Sequence, residues 1–349
     1  MFKDKGIPIH NIYYMLSYAF KELRQSNYEN IDKEEFDNIY DLLAEILFKG
    51  VSALLKHGLY KEYNNRCENM STHRGKLDIR GTISNRMQRK NLLSVEYDEL
   101  TENNIFNQII KTTTCLLLRH SSVSHLRKLN LRSVLPFLSI VDEIDPLIVR
   151  WNTIRFQRSN MAYKMALNIC YFVFSEVIMT THRGSYKMIT FTDECMSRLY
   201  EKFVLEYYKH HHNHLSPSAC EIKWNIDKND ECVIDLLPSM KTDITLTDGN
   251  KTLIIDTKYY TKSIQNSEYS ATIHSNNMYQ IFAYVKNRDV DNRGDVSGML
   301  LYAKTEEEIT PNLQATFGKN KIYVKTLDLN LRFEEIKNQL DNIAKQAFG

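Results

Sequence analysis

Residues 241–260, KTDITLTDGNKTLIIDTKYY, hold two runs of strand-like alternation on either side of Asp248-Gly249-Asn250. Asp-Gly between such runs is a strong hairpin signal, and Gly249-Asn250 suits a two-residue loop. That loop sets the register. Asp243 comes to face Asp256, and facing residues hold their Cβ atoms about 4.5–5.5 Å apart. Side chains alternate along a strand, so Lys258 shares the face of Asp256, while Ile244, Leu246, Leu253 and Ile255 form the other. The spacing predicts an apolar side turned to the core and a displayed side bearing Asp243, Asp256 and Lys258. A slip of one residue in the loop would part the two acids.

Two facing carboxylates repel each other unless a positive charge lies between them. Hard oxygen donors of this kind suit Mg2+, with Mn2+ as a substitute, and Mg2+ commonly takes one or two carboxylates and keeps several waters. Asp243 and Asp256 are the expected metal ligands, with Thr257, between the acid and the lysine, as a further contributor. An ion held there acidifies a water and neutralises charge on a phosphate oxygen. Lys258 then orients or helps deprotonate that water and screens the phosphodiester. The D-x-K triplet alone is a weak signal, because Glu221-Ile222-Lys223 and Glu335-Ile336-Lys337 match [DE]-x-K equally well. Of the three, only Asp256-Thr257-Lys258 has an acid upstream on a paired strand.

Two more elements fit around the hairpin. LYEKFVLEYY, from residue 199, places Glu201 on a helix, either as a third acid near the metal or as an exposed helix charge. Asn277, Gln280 and Tyr284 follow i, i+3, i+7 spacing and share one helix face, with Met278, Ile281, Phe282 and Val285 on the apolar side. Gln280 and Tyr284 are placed to bond a DNA phosphate or to brace Lys258, unless that face simply meets solvent.

Further out, helical periodicity covers 10–24, 32–57, 103–119 (with Thr101 as N-cap), 161–179, 193–211, 275–287 and 332–347. Strands are expected at 220–226, 240–247, 251–260, 296–303 and 321–327. Residues 60–97 differ in character, with alternating runs such as Lys76-Leu77-Asp78-Ile79-Arg80 that read as strands of an extended finger. The proline-bearing stretch 141–152 marks the domain boundary, giving an N-terminal domain at 1–150 and a C-terminal domain at 151–349. The fold class is mixed α+β: a helix-rich N-terminal domain with a β finger, then a domain built on a central mixed sheet.

Composition bounds the rest. The chain has 349 residues, 43% of them apolar and 25% charged, with only 11 glycines and 6 prolines, which excludes a disordered tail, a fibre or a loop-rich all-β protein. Forty-five Lys and Arg against 43 Asp and Glu leave +2, so polyanion binding must come from local patches. One patch is residues 66–90, where Arg66, Arg74, Lys76, Arg80, Arg86, Arg89 and Lys90 outnumber Glu68 and Asp78. A second is 103–140, with Lys111, Arg119, Arg127, Lys128 and Arg132 and no acid. It faces either DNA or a partner. Six scattered cysteines with no C-x-x-C read as free thiols of a reducing compartment. No signal peptide or membrane span is legible, so a cytoplasmic protein is expected. His210, His211, His212 and His214 close a helix and are expected to be solvated and dipole-compensating.

An acid on one strand, D-x-K on the next and a following Q-x-x-x-Y helix resemble the PD-(D/E)xK nuclease superfamily in its RecB-like style, with Thr242 standing where proline often precedes the first acid. The chain further resembles McrC, the nuclease subunit family of McrBC-type restriction systems. IPIHNIYYMLSYAF at 7–20, RGKLDIRGTI at 74–83, YDELTENNIFNQIIK at 97–111, LYEKFV at 199–204, TDITL at 242–246, IIDTKYY at 254–260 and HSNNMYQIFAY at 274–284 carry the resemblance. It implies a Mg2+-dependent DNA endonuclease with Asp243, Asp256 and Lys258 as the catalytic trio and Glu201 and Gln280 as further site residues. It also implies double-stranded DNA as substrate and a McrB-like AAA+ GTPase or ATPase ring as partner. No G-x-x-x-x-G-K-[ST] occurs here, in keeping with nucleotide hydrolysis by that partner. Part of 66–90 is then the finger that enters the ring, or else a direct DNA contact. The competing expectations are a non-catalytic adaptor carrying a dead nuclease fold and a stand-alone RecB-like repair nuclease.

Overall fold

A computed structural model of the chain describes residues 3–4, 7–20, 31, 34–175, 177–179, 186–188, 193–226, 236–259, 264–267, 270–304 and 311–349. In chain order the elements are β1 (Lys3–Asp4), β2 (Ile7–Pro8), α1 (Ile9–Ala19), α2 (Ile39–His57), β3 (Glu62–Met70), β4 (Lys76–Leu77), α3 (Ile79–Met87), β5 (Leu93–Thr101), α4 (Ile105–Arg119), α5 (His125–Val134) and α6 (Lys164–Ser175). Then follow β6 (Val177–Met179), β7 (Tyr186–Met188), α7 (Asp193–His211), β8 (Glu221–Ile222), β9 (Met240–Lys241), β10 (Ile244–Thr247), β11 (Thr252–Lys258), β12 (Ile264–Ser267), β13 (Ser270–Ile273), α8 (Ser275–Arg288), β14 (Val296–Lys304), β15 (Leu313–Phe317), β16 (Asn320–Asp328) and α9 (Phe333–Phe348). The class is mixed α+β, as the sequence predicts.

The chain forms two compact units, one of residues 1–42 with 190–349 and one of residues 43–189. This division differs from the expected cut at 150, and the reason is non-local packing at both places. In the first unit α1 packs on α7, and the Asn11 amide donates to the carbonyls of Leu329 at 2.7 Å and Leu331 at 2.9 Å. In the second, α6 packs on α4, and the Tyr163 hydroxyl donates to Asn107 Oδ1 at 2.8 Å, so residues just past 150 stay with what precedes them.

The first unit is built on a five-stranded sheet in the order β10-β11-β14-β16-β15, parallel across β11, β14 and β16 and antiparallel at both edges. Helix α8 covers one face. Ile281 and Val285 meet Ile254, Leu300, Tyr302 and Val324 in one cluster of buried side chains, each such aliphatic side chain contributing about 1.5–3 kcal/mol. Gly298 lies opposite Ile254 in the sheet and lets α8 approach closely, since a Cβ there would stand 2.7 Å from both Ile281 and Val285. Helices α7 and α9 meet the sheet at β10, β11 and β16 and are tied to each other by the Tyr208 hydroxyl donating to Leu340 O at 3.0 Å. The Glu335 carboxylate caps α9 by accepting from Arg332 N–H at 3.1 Å.

Of the four histidines at the end of α7, His210, His211 and His214 are exposed, as expected, and His212 is half-buried. His212 Nε2 lies 2.7 Å from Asp341 Oδ1, and His211 Nε2 lies 2.8 Å from the Tyr18 hydroxyl. Burial raises the Asp341 carboxyl, but the bonds from His212 and Tyr207 outweigh it and hold the carboxyl below its ordinary value.

In the second unit the finger is a three-stranded sheet, β3-β5-β4. Its root is a buried polar knot in which Asn107 Nδ2 donates to Tyr60 O at 2.9 Å and Glu102 O at 2.7 Å, clamping the residues that enter β3 and leave β5. The expected strand over 76–80 ends at Leu77. Asp78 N–H still pairs with Ser94 O, but Asp78 O accepts from Thr82 N–H and α3 begins. Ile79, Ile83 and Met87 then fall on one helical side, 65%, 54% and 81% exposed. Asn104, not Thr101, caps α4, its side chain accepting from Asn107 N–H at 3.2 Å. Helix α5, strand β15 and the β12–β13 hairpin were not anticipated. Cys67, Cys115, Cys170 and Cys220 are free thiols, and Cys232 lies outside the described residues.

Candidate active site

The hairpin takes the expected register. Ile244 pairs with Ile255 and Leu246 with Leu253, which sets Asp243 opposite Asp256 one step beyond the last pair. Gly249 opens the loop with φ +96, a conformation that suits glycine. The Asp248 carboxylate closes the loop by accepting from Asn250 N–H at 2.9 Å and Lys251 N–H at 2.7 Å.

The displayed face is not open to solvent. Helix α8 lies over it, and Asp256 is 1% exposed. The charge is matched locally: Lys258 Nζ lies 2.6 Å from Asp256 Oδ2. Burial, opposed by that ammonium and reinforced by the Asp243 charge, lifts the Asp256 carboxyl from 3.8 to about 6. Lys258 Nζ also donates to Gln280 Oε1 at 3.1 Å. Gln280 Nε2 donates to the Tyr284 hydroxyl at 2.8 Å, and that hydroxyl donates to Lys241 O at 3.0 Å. Gln280 therefore sits in a chain that begins on β9 and ends at the lysine.

Asp243 is held differently. Beyond Ile244 the strand turns outward, and Thr242 N–H bonds Cys220 O at 2.9 Å. The Asp243 carboxylate takes up the position vacated on β11, and its Oδ2 accepts both the backbone N–H and the hydroxyl of Thr257, each at 2.7 Å.

Glu201 lies within electrostatic reach. Burial raises its carboxyl, and Asp243 and Asp256 add to the rise against the counter-effect of Lys241 and Lys258. Among the described residues no three His, Cys, Asp or Glu side chains converge closely enough to cage a metal, so Glu201 neighbours the acid pair without completing a three-acid set. Two carboxylates suffice for Mg2+, which retains waters. The donors present fit such an ion: among the described residues, Asp256 Oδ2 is buried without a well-oriented hydrogen bond, and Asp243 is oriented through one of its oxygens.

Asn277 and Tyr284 do not meet solvent: both are buried, Tyr284 braces Lys258 through Gln280 as one expectation had it, and Asn277 Nδ2 donates to the Tyr302 hydroxyl at 2.9 Å. Phe282, assigned to the apolar side, is 39% exposed and meets Phe317. Sequence reasoning missed the Tyr284–Lys241 link, because a backbone acceptor leaves no mark in side-chain spacing.

Comparison with known proteins places this arrangement in context. Residues 4–303 match the family described as McrBC 5-methylcytosine restriction system component. The chain is 27% identical over 305 residues to the type IV methyl-directed restriction enzyme EcoKMcrBC of Escherichia coli K12, covering 87% of this chain and 88% of that protein. Among solved structures, a chain of the Thermococcus gammatolerans assembly of McrB AAA+ hexamers with bound McrC superposes with a TM-score of 0.52 at 19% identity, covering 96% of this chain and 76% of that one. Among the described residues, no helix is long and apolar enough to cross a membrane.

Proposed function

Because the chain belongs to the family of McrBC 5-methylcytosine restriction system components, we propose that it is the DNA-cutting subunit of a McrBC-like complex in the cytoplasm. In this reading it is a Mg2+-dependent endonuclease of PD-(D/E)xK type that hydrolyses phosphodiesters of modified DNA. It acts while docked on a McrB-type AAA+ NTPase ring, whose hydrolysis it stimulates.

The observation that carries the reading is the meeting of Asp243, Asp256 and Lys258 on one hairpin, with Gln280 bonded to the lysine. Asp243 and Asp256 are the residues to hold Mg2+, with Thr257 supporting Asp243. When bound, the ion supplies an acidified water and charge neutralisation on phosphate. Lys258 keeps its ammonium at the acid pair and faces the phosphodiester, and Gln280, steadied by Tyr284, restricts where that ammonium can go. Glu201, its carboxyl raised by burial and its acidic neighbours, stands by as a proton carrier. The finger, with its basic residues and the exposed apolar stripe of α3, is the part proposed to engage the ring.

The test is plasmid cleavage by the full complex with Mg2+ and nucleotide. Asp243→Ala and Lys258→Ala are expected to lower cleavage by at least about 10²-fold, with complex formation and NTPase stimulation intact. An Asp243→Ala complex that cuts at the wild-type rate overturns the site.

A further inference from the structure

We propose that Thr257 is a positioning residue that fixes Asp243 for metal binding, an inference that rests on the reading of the site above. Its two donors, the backbone N–H and the hydroxyl, converge on a single carboxylate oxygen, Asp243 Oδ2, each at 2.7 Å. Oδ1 accepts from no described residue and is left for the ion. Two donors on one oxygen define the plane of the carboxylate as well as its position, which the N–H alone would not do. Threonine suits the task, since its branched Cβ restricts χ1 and its strand backbone is held against Leu301 of β14. The residue is 6% exposed, so water does not compete freely for the hydroxyl. The nearby threonines Thr242 and Thr245 are used otherwise: their hydroxyls lie 3.0 Å apart and bond each other.

Outer partners of metal ligands typically account for about 10–100-fold in metal affinity or activity. The experiment titrates Mn2+ into the full chain by calorimetry, without DNA or partner, for wild type, Thr257→Val, Thr257→Ala, Thr257→Ser and Asp243→Ala. Thr257→Val and Thr257→Ala both keep the backbone N–H and lose the hydroxyl. They are expected to weaken Mn2+ binding about 10–100-fold, and Thr257→Ser to restore it. In the complex, the Mg2+ concentration for half-maximal cleavage should rise by the same factor in Thr257→Val, more than the rate at saturating Mg2+ falls. A threonine that served only packing would lower the melting temperature in EDTA and leave the Mn2+ affinity in place. Wild-type Mn2+ affinity in either Thr257→Val or Thr257→Ala, or a Thr257→Ser as weak as Thr257→Val, overturns the proposal. Undiminished Mn2+ binding and cleavage in Asp243→Ala would instead sink the assignment of the site itself, so the two failures are distinguishable.

Discussion

Asp256 is costly to the fold in the absence of metal, because its carboxyl titrates at about 6 in the folded chain against 3.8 ordinarily. Below 3.8 it is neutral in both states. Between those values the unfolded chain gives up the proton and the folded chain keeps it, so stability falls as pH rises through that window and levels above it. Lys258 reduces this cost without removing it. In EDTA at pH 8, Asp256→Asn should therefore be more stable than wild type, by on the order of 1–2 kcal/mol, while at pH 3.5 the two should melt alike. Thermal denaturation at the two pH values checks this. An acid that destabilises its own fold is the pattern of a residue kept for binding.

At the scale of elements, the hairpin was legible and α3 was not, for reasons that differ. Gly249-Asn250 fixes loop length, and loop length fixes register, so the pairing of Asp243 with Asp256 follows from local chemistry alone. In Lys76-Leu77-Asp78-Ile79-Arg80 the same alternation misleads, since Leu77 and Ile79 mimic a strand face while Ile79, Ile83 and Met87 also fall on one side of a helix. For Tyr284 the spacing leaves a brace for Lys258 or a face to solvent, since tyrosine joins an apolar body to a polar tip, and the bond from Gln280 shows the brace. The fit of α8 on the sheet depends on Gly298. Gly298→Ala should cost about 1–3 kcal/mol by overpacking, measured by urea denaturation. It should also slow cleavage in the folded fraction, because α8 carries Gln280 to Lys258.

At the scale of the whole molecule, the expected boundary at 150 failed because contacts between residues far apart in sequence leave no local trace. Helix α1 reads as the start of an N-terminal domain, yet it packs on α7 and reaches Leu329 and Leu331 through Asn11. A fragment of residues 151–349 should therefore be insoluble or lack a cooperative melt. A chain joining 1–42 to 190–349 through a flexible linker should melt cooperatively and bind Mn2+. Circular dichroism and calorimetry on the two fragments decide this.

The clasp made by Asn11 also bears on biosynthesis. The Asn11 side chain is satisfied by carbonyls 318 and 320 residues further along, so in the unit that carries Asp243, Asp256 and Lys258 the clasp closes only after Leu329 and Leu331 have been made. A chain arrested before Leu329 is therefore expected to leave that unit without its clasp.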